Sequence, residues 1–263
     1  MKVRGERECR DCETRWSYYE TGSVECPDCG SLKSVGVADR ALHTDSPAEL
    51  DLTPHREAFG DARGTLPAAG VDDLKDDLRE YVRKRGFVSG GALLVLDDTY
   101  LAARELLEAV DAYDRQFDPT DADREYLLAL LSTADDGERP PAAGIPESMR
   151  DARGLAAARA AAEYREDVES FLDDAAALPE DADPEADDPA VSKPDVAARA
   201  DAARDRLERL RDRTKRVEAL QGDVAPDVAD ALVEAARAVG AYVRDGDDEA
   251  LARADEQLTD AEL

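Results

Sequence analysis

Apolar and polar positions alternate with period two only near the amino terminus. Thr14, Trp16 and Tyr18 interleave with Arg15, Ser17 and Tyr19, and the turn sequence Glu20-Thr21-Gly22-Ser23 follows, so a hairpin is predicted there. Residues 2–7 and 31–37 are the expected flanking strands. Beyond residue 70 the spacing becomes three and four. Leu74, Leu78, Tyr81 and Val82 form the stripe of a helix over 72–85 that Gly86 ends. Leu106, Val110, Tyr113 and Phe117 mark a second helix over 98–117 with an aspartate cap, and Leu127, Leu130 and Leu131 a third over 121–134. Pro146 suits the first turn of a long helix to about residue 178, with Tyr164, Val168, Phe171, Ala175 and Leu178 on one side. Val196, Ala200, Ala203, Leu207, Leu210, Thr214 and Val217 then make the seam of a helical hairpin, answered by Val228, Leu232, Ala235, Val239 and Tyr242. Asp247 is placed to cap a last short helix through Leu258.

Two stretches break these patterns. Pro47, Pro54, Gly60, Gly64, Pro67 and Gly70 mark residues 38–70 as a linker with at most a short helix around 54–59. Residues 179–195 are acidic and proline-rich, a spacer between helical units. The expected division is therefore a β module over 1–37, the linker, a helical domain over 71–178, the spacer, and a helical hairpin over 196–263. His43 and His55 fall in the linker and are expected to be ordinary surface residues.

Composition adds that the core is thin. Hydrophobic residues make up 43% of the 263, but many are alanine and only 5% are aromatic, so helices bury little area each. The net charge of -29 would ordinarily suggest a cationic partner, yet only six of the 34 bases are lysine and the acids are spread along the whole chain. That composition resembles the proteomes of salt-in halophilic archaea, where at about 1 M salt a Debye length of about 3 Å leaves distant charges almost unaware of one another. Charge is also uneven. Through Gly36, six bases stand against seven acids for a net -1, and the other 227 residues carry -28. The amino-terminal module is thus the leading surface for a polyanion. Residues 204–216 carry a local +4. They could track phosphates as a second nucleic-acid contact, but pairing within the molecule is favoured, with acids that include Asp223, Asp227, Asp230 and Glu234. A polar amino terminus and the lack of long apolar runs predict neither signal peptide nor membrane span, hence a cytoplasmic protein in a reducing compartment.

The sharpest signal is chemical. Cys9, Cys12, Cys26 and Cys29 form two C-x-x-C knuckles thirteen residues apart, and there is no fifth cysteine. Two such knuckles aim four thiolates at one point and complete the tetrahedral shell of a closed structural zinc site. Pro27 stiffens the second knuckle and Gly30 permits a left-handed residue behind it. A redox pair would sit in a βαβ pattern, which is absent; a four-cysteine iron site shares the Cys26-Pro27-Asp28-Cys29-Gly30 knuckle, but its knuckles lie farther apart.

On these residues the chain from Met1 to about Val37 resembles the zinc ribbon of archaeal transcription factor B (TFIIB type), and more closely a group of haloarchaeal proteins with such a ribbon at the amino terminus. Glu13 departs from the pattern by standing where many ribbons have glycine, and nothing after Val37 aligns with the cyclin-like repeats of transcription factor B. The resemblance implies one structural zinc on Cys9, Cys12, Cys26 and Cys29 and a module often used for transcription or nucleic-acid work.

The candidate contact residues are Arg4, Arg7, Arg10, Arg15 and Tyr19, with Trp16 and Tyr18 expected to cover the small core beside the metal. No Walker loop, G-x-G-x-x-G, G-x-S-x-G or H-E-x-x-H is present, so neither an enzyme nor a small-molecule substrate is expected. Two functions follow: contact with nucleic acid or the transcription machinery through the ribbon, or a protein-binding adaptor whose zinc is purely structural.

Overall fold

The computed structural model describes residues 1–61, 68–177 and 193–262. Residues 179–192 of the acidic spacer, residues 62–67 of the linker and Leu178 lie outside them, and the spacer's last three residues, 193–195, open the helix that follows.

The first 42 residues make two small antiparallel sheets. β2 (Glu6–Cys9) is central, flanked by β3 (Arg15–Ser17) and β4 (Ser34–Gly36), while β1 (Lys2–Arg4) pairs with β5 (Arg40–Leu42). The strand predicted over 14–19 stops early: α1 (Tyr18–Thr21) is a single helical turn closed by Gly22 at φ 61°. That turn rotates Tyr18 and Tyr19 off the alternation of the strand.

The remainder is helical: α2 (Thr53–Asp61), α3 (Ala68–Lys84), α4 (Asp98–Arg115), α5 (Asp121–Thr133), α6 (Arg150–Ala176), α7 (Lys193–Ala219), α8 (Pro226–Asp245) and α9 (Asp248–Asp260). A two-strand hairpin, β6 (Val88–Ser89) and β7 (Ala92–Leu93), separates α3 from α4. Local chemistry explains the starts. Asp97 caps α4 by accepting from the Tyr100 amide at 2.7 Å, Thr120 and Asp123 form a capping box on α5, Pro226 opens α8 and Asp247 caps α9.

α6 is the hub, packing against α4, α7 and α8. Its buried alanines, Ala156, Ala157, Ala160 and Ala161 among them, let neighbouring backbones come close. All seven residues of the predicted α7 seam are buried. The two helical units expected from the sequence nevertheless share one continuous core, running from Leu42 to Ala261, because α7 and α8 close on α6 as well as on each other.

Three further expectations are corrected. Residues 38–61 are not merely a linker: besides the short helix expected around 54–59, which is α2, the strand β5 lies there, and Leu42, Leu52 and Phe59 enter the main core. His43 and His55 are buried instead of on the surface; His55 Nε2 meets the Asp77 carboxylate of α3 at 2.8 Å. Phe117, assigned to the buried stripe of α4, is fully exposed, since the helix ends at Arg115 and the chain turns extended at Gln116.

The basic run on α7 does pair internally, though with other partners than those named. Arg204 meets Asp173, Arg206 and Arg209 share Asp255, and Arg213 meets Glu262. Asp230 and Glu234 are held instead by Arg153 and Arg237.

Candidate metal centre

The two knuckles are built alike. The Cys9 amide donates to Thr14 O and the Glu13 amide returns to Cys9 O; the Cys26 amide donates to Ser31 O and the Gly30 amide returns to Cys26 O, all at 2.9–3.1 Å. The first knuckle continues from β2 and the second precedes β4, and pairing of Cys9 with Ser34 across these strands sets the knuckles face to face. Asp11 N points at Cys9 Sγ at 3.4 Å, a backbone dipole favouring charge on sulfur.

All four sulfurs lie within 4.8 Å of one another. Cys9 Sγ is 3.7 Å from Cys29 Sγ, and Cys12 Sγ is 3.5 Å from Cys26 Sγ. A tetrahedral ion with metal–sulfur bonds of about 2.3 Å requires sulfur–sulfur edges of about 3.8 Å, so the set fits a four-thiolate metal site and is too open for disulfides. Cys9 and Cys26 are buried and Cys12 and Cys29 face solvent. Four sulfurs this close cannot all carry charge without a cation. The Thr14 hydroxyl and amide beside Cys12 favour its thiolate and bring its pKa down to about 6. At Cys29 the Ser31 amide also favours the thiolate, but the Cys12 sulfur and desolvation outweigh it and push the thiol up to about 12. A divalent ion removes that conflict by neutralising the cluster.

Trp16 packs on Cys9 and Cys26 as the small core of the module, its indole N–H donating to Ser23 O at 3.0 Å.

The sequence-predicted contact residues are not equivalent. Arg15 is paired with Glu8 at 2.6 Å. Arg10 is exposed beside the first knuckle. Arg4 and Arg7 are held by neutral acceptors, Arg4 by Ala38 O and Arg7 by Ser34. Tyr19 is withdrawn from the surface. Its ring lies against Gly5 and Gly90, where no side chain could fit beside it, and 4.7 Å from the ring of His43, while its hydroxyl donates to Val3 O at 3.2 Å. His43 in turn accepts from the Gly90 amide at 3.3 Å. Tyr19 therefore docks the module on the helical body through the β6–β7 turn. Lys2 adds an ion pair to Asp174 of α6 at 2.5 Å. Arg40, across from Arg4 on β5, escaped the sequence reading because it stood in the supposed linker. The signal available was its basic character in a short strand-like run.

A pair of facing cysteine knuckles on a small antiparallel sheet, docked against a helical body, defines a β module whose four thiols are positioned to hold a metal ion, joined to an α-helical domain. The chain belongs to a family of unknown function, DUF7117, whose family model matches residues 1–258. No curated protein and no solved structure matches. Among the described residues no helix is long and apolar enough to cross a membrane.

Proposed function

We propose that the four thiolates hold one structural zinc ion, that the module is a zinc ribbon of the TFIIB type, and that the protein is a non-enzymatic, nucleic-acid-associated factor of a salt-adapted cell. A closed, all-sulfur tetrahedral site without an open position is the donor set zinc takes when it serves structure and not catalysis. The observation that carries the nucleic-acid reading is the partition of charge. The ribbon is nearly neutral on a strongly acidic chain. Many arginines of the body are paired with carboxylates, as in Arg153–Glu105, Arg159–Glu108 and Arg206–Asp255. Arg4, Arg7 and Arg40, gathered around one groove of the amino-terminal module, are the cations best placed to meet phosphate together.

A second reading has its own support. Val24, Leu32 and Val37 of the ribbon are 43%, 71% and 45% exposed, which suits a protein partner better than a phosphate backbone. Affinity capture in molar salt, with and without nuclease treatment, separates the two: a partner set lost on nuclease treatment supports nucleic-acid association, and one that survives supports the adaptor. Elemental analysis of the protein from native cells is expected to give one zinc per chain. Cys26→Ser is expected to abolish it and leave most of the helical circular dichroism; iron in place of zinc would overturn the metal assignment.

A further inference from the structure

Where the two small sheets meet, a groove of about 380 Å³ is lined by Lys2, Arg4, Arg7, Arg40, Tyr18 and Gly36, with Val3 and Val24 completing its wall. Four of its residues are cationic and none is acidic, on a chain whose net charge is -29. β1 and β5 place Arg4 directly opposite Arg40. Like charges so placed oppose strand pairing, and among the described residues no carboxylate pairs with Arg4, Arg7 or Arg40 to relieve them.

The guanidinium groups are nonetheless held in place. Arg7 donates through Nε and Nη2 to Ser34 Oγ at 3.1 and 3.0 Å, and Ser34 Oγ donates onward to Val24 O at 2.7 Å. Arg4 Nη1 donates to Ala38 O at 2.5 Å. Its aliphatic stem lies flat across Gly36, where a methyl group would come within 2.6 Å of Arg4 Cβ. Neutral acceptors fix these arginines without cancelling their charge, unlike Arg153, Arg159 and Arg206 of the helical body, which meet carboxylates. The remaining guanidinium N–H groups keep the planar fork that matches phosphate oxygens. Lys2 is neutralised by Asp174 and stands at the rim. Tyr18 is half-buried beside the cations, edge-on to His43 at 6.1 Å, and offers a ring face to a base.

We propose that this groove is a phosphate-binding site that takes the backbone of a single-stranded nucleic acid, with Arg4, Arg7 and Arg40 on phosphate oxygens and Tyr18 against a neighbouring base. The assignment rests on the nucleic-acid reading above, and the test keeps the two apart. Zinc-loaded full-length protein is titrated with a fluorescent fifteen-nucleotide thymidine strand and, separately, with pyrophosphate, at the lowest salt that preserves its molar-salt circular dichroism. Arg4→Ala and Arg40→Ala, each checked for unchanged circular dichroism and zinc content, are expected to weaken the strand about five- to tenfold. They should also reduce the slope of log affinity against log salt by about one. Arg40→Lys should restore part of the loss, Tyr18→Leu should weaken the strand but not pyrophosphate, and Arg211→Ala on α7 should change neither. If the wild type binds the strand and the groove variants bind it equally well, the groove assignment is wrong while the nucleic-acid reading stands. If pyrophosphate binds in an Arg40-dependent way and the strand does not, the phosphate site stands and the nucleic-acid reading is wrong. Binding of neither overturns both.

Discussion

Glu13 and Gly30 occupy the same place in the two knuckles, both left-handed, with φ of 63° and 70°. Each returns its amide to the carbonyl of the first cysteine of its knuckle. The conformation sets a β-carbon against the following carbonyl, at about 1–2 kcal/mol for a residue other than glycine, while glycine in its place loses more chain entropy on folding, about 0.5–1 kcal/mol. Glu13→Gly is therefore expected to strengthen the ribbon by about 0.5–1 kcal/mol, measured as slower transfer of zinc to a competing chelator. Faster transfer would mean that the Glu13 side chain contributes more than its backbone strain costs.

The buried Glu105 ties the helical body together. It accepts from Tyr126 Oη at 2.5 Å, Arg139 Nη1 at 3.0 Å and Arg153 Nη1 at 2.6 Å, and Arg153 also holds Asp230 of α8. Burial, with the Glu105 charge beside it, pushes the Tyr126 hydroxyl far above its ordinary range, so it stays protonated and donates to Glu105. Glu105→Ala takes the carboxylate from Tyr126 and Arg139 and leaves the buried Arg153 with Asp230 alone, and is expected to cost about 3 kcal/mol in urea unfolding. Glu105→Ala combined with Arg153→Met should recover part of that loss. A single-variant cost below about 1 kcal/mol would show that water replaces the carboxylate.

His43 should make docking of the ribbon sensitive to mild acid. Burial lowers its pKa, Asp45 opposes that and the amino-terminal ammonium adds to it. Its Nδ1 accepts from the Gly90 amide and must stay unprotonated. The folded-state pKa lies below the ordinary value of about 6.5, so the unfolded chain takes up the proton first. Stability is then full above about pH 6.5 and falls as pH drops toward the folded-state value. Melting temperature between pH 7 and pH 5 should decline less in His43→Asn, which keeps an acceptor for Gly90 without a titrating group. Identical pH profiles in the two proteins would remove His43 as the cause.

The salt-adapted reading of the composition makes a bulk prediction. With 63 acids against 34 bases, repulsion grows once screening is removed. The alanine-lined contacts of α6 supply little apolar area to resist it. Helical signal and melting temperature should both fall between molar and about 0.05 M salt, and constancy across that range would exclude the reading.

Much of the helical body was legible because a helix that buries one face must repeat its apolar residues every three or four positions, as the α7 seam does from Val196 to Val217. The gathering of Cys9, Cys12, Cys26 and Cys29 was legible because the spacing of two C-x-x-C knuckles alone brings four thiols together. What escaped was set by contacts distant in sequence. Tyr19 was placed on the open face of a strand, but α1 turns it under the ribbon and onto Gly90, more than seventy positions away. Phe117 kept the helical spacing past a terminus at Arg115, where Pro119 shortly beyond was the available stop signal. The segment from β5 to α2 is too short and too mixed to show a period, and its burial follows from Thr44 and Asp45 bonding Val88 and Gly86. One signal was overlooked: Gly90-Gly91, both with positive φ, is a two-residue hairpin turn flanked by Val88-Ser89 and Ala92-Leu93 of β6 and β7.

Trp16 is the chain's one tryptophan, and it lies against two of the four sulfurs while the helices contain none. Light absorbed at the red edge of the protein spectrum is therefore emitted from the metal module alone, whereas far-ultraviolet dichroism comes chiefly from the helices. The two halves of the molecule can be followed at separate wavelengths in one unlabelled sample. A chelator or a change of salt should thus reveal whether the ribbon lets go before the body, after it, or with it.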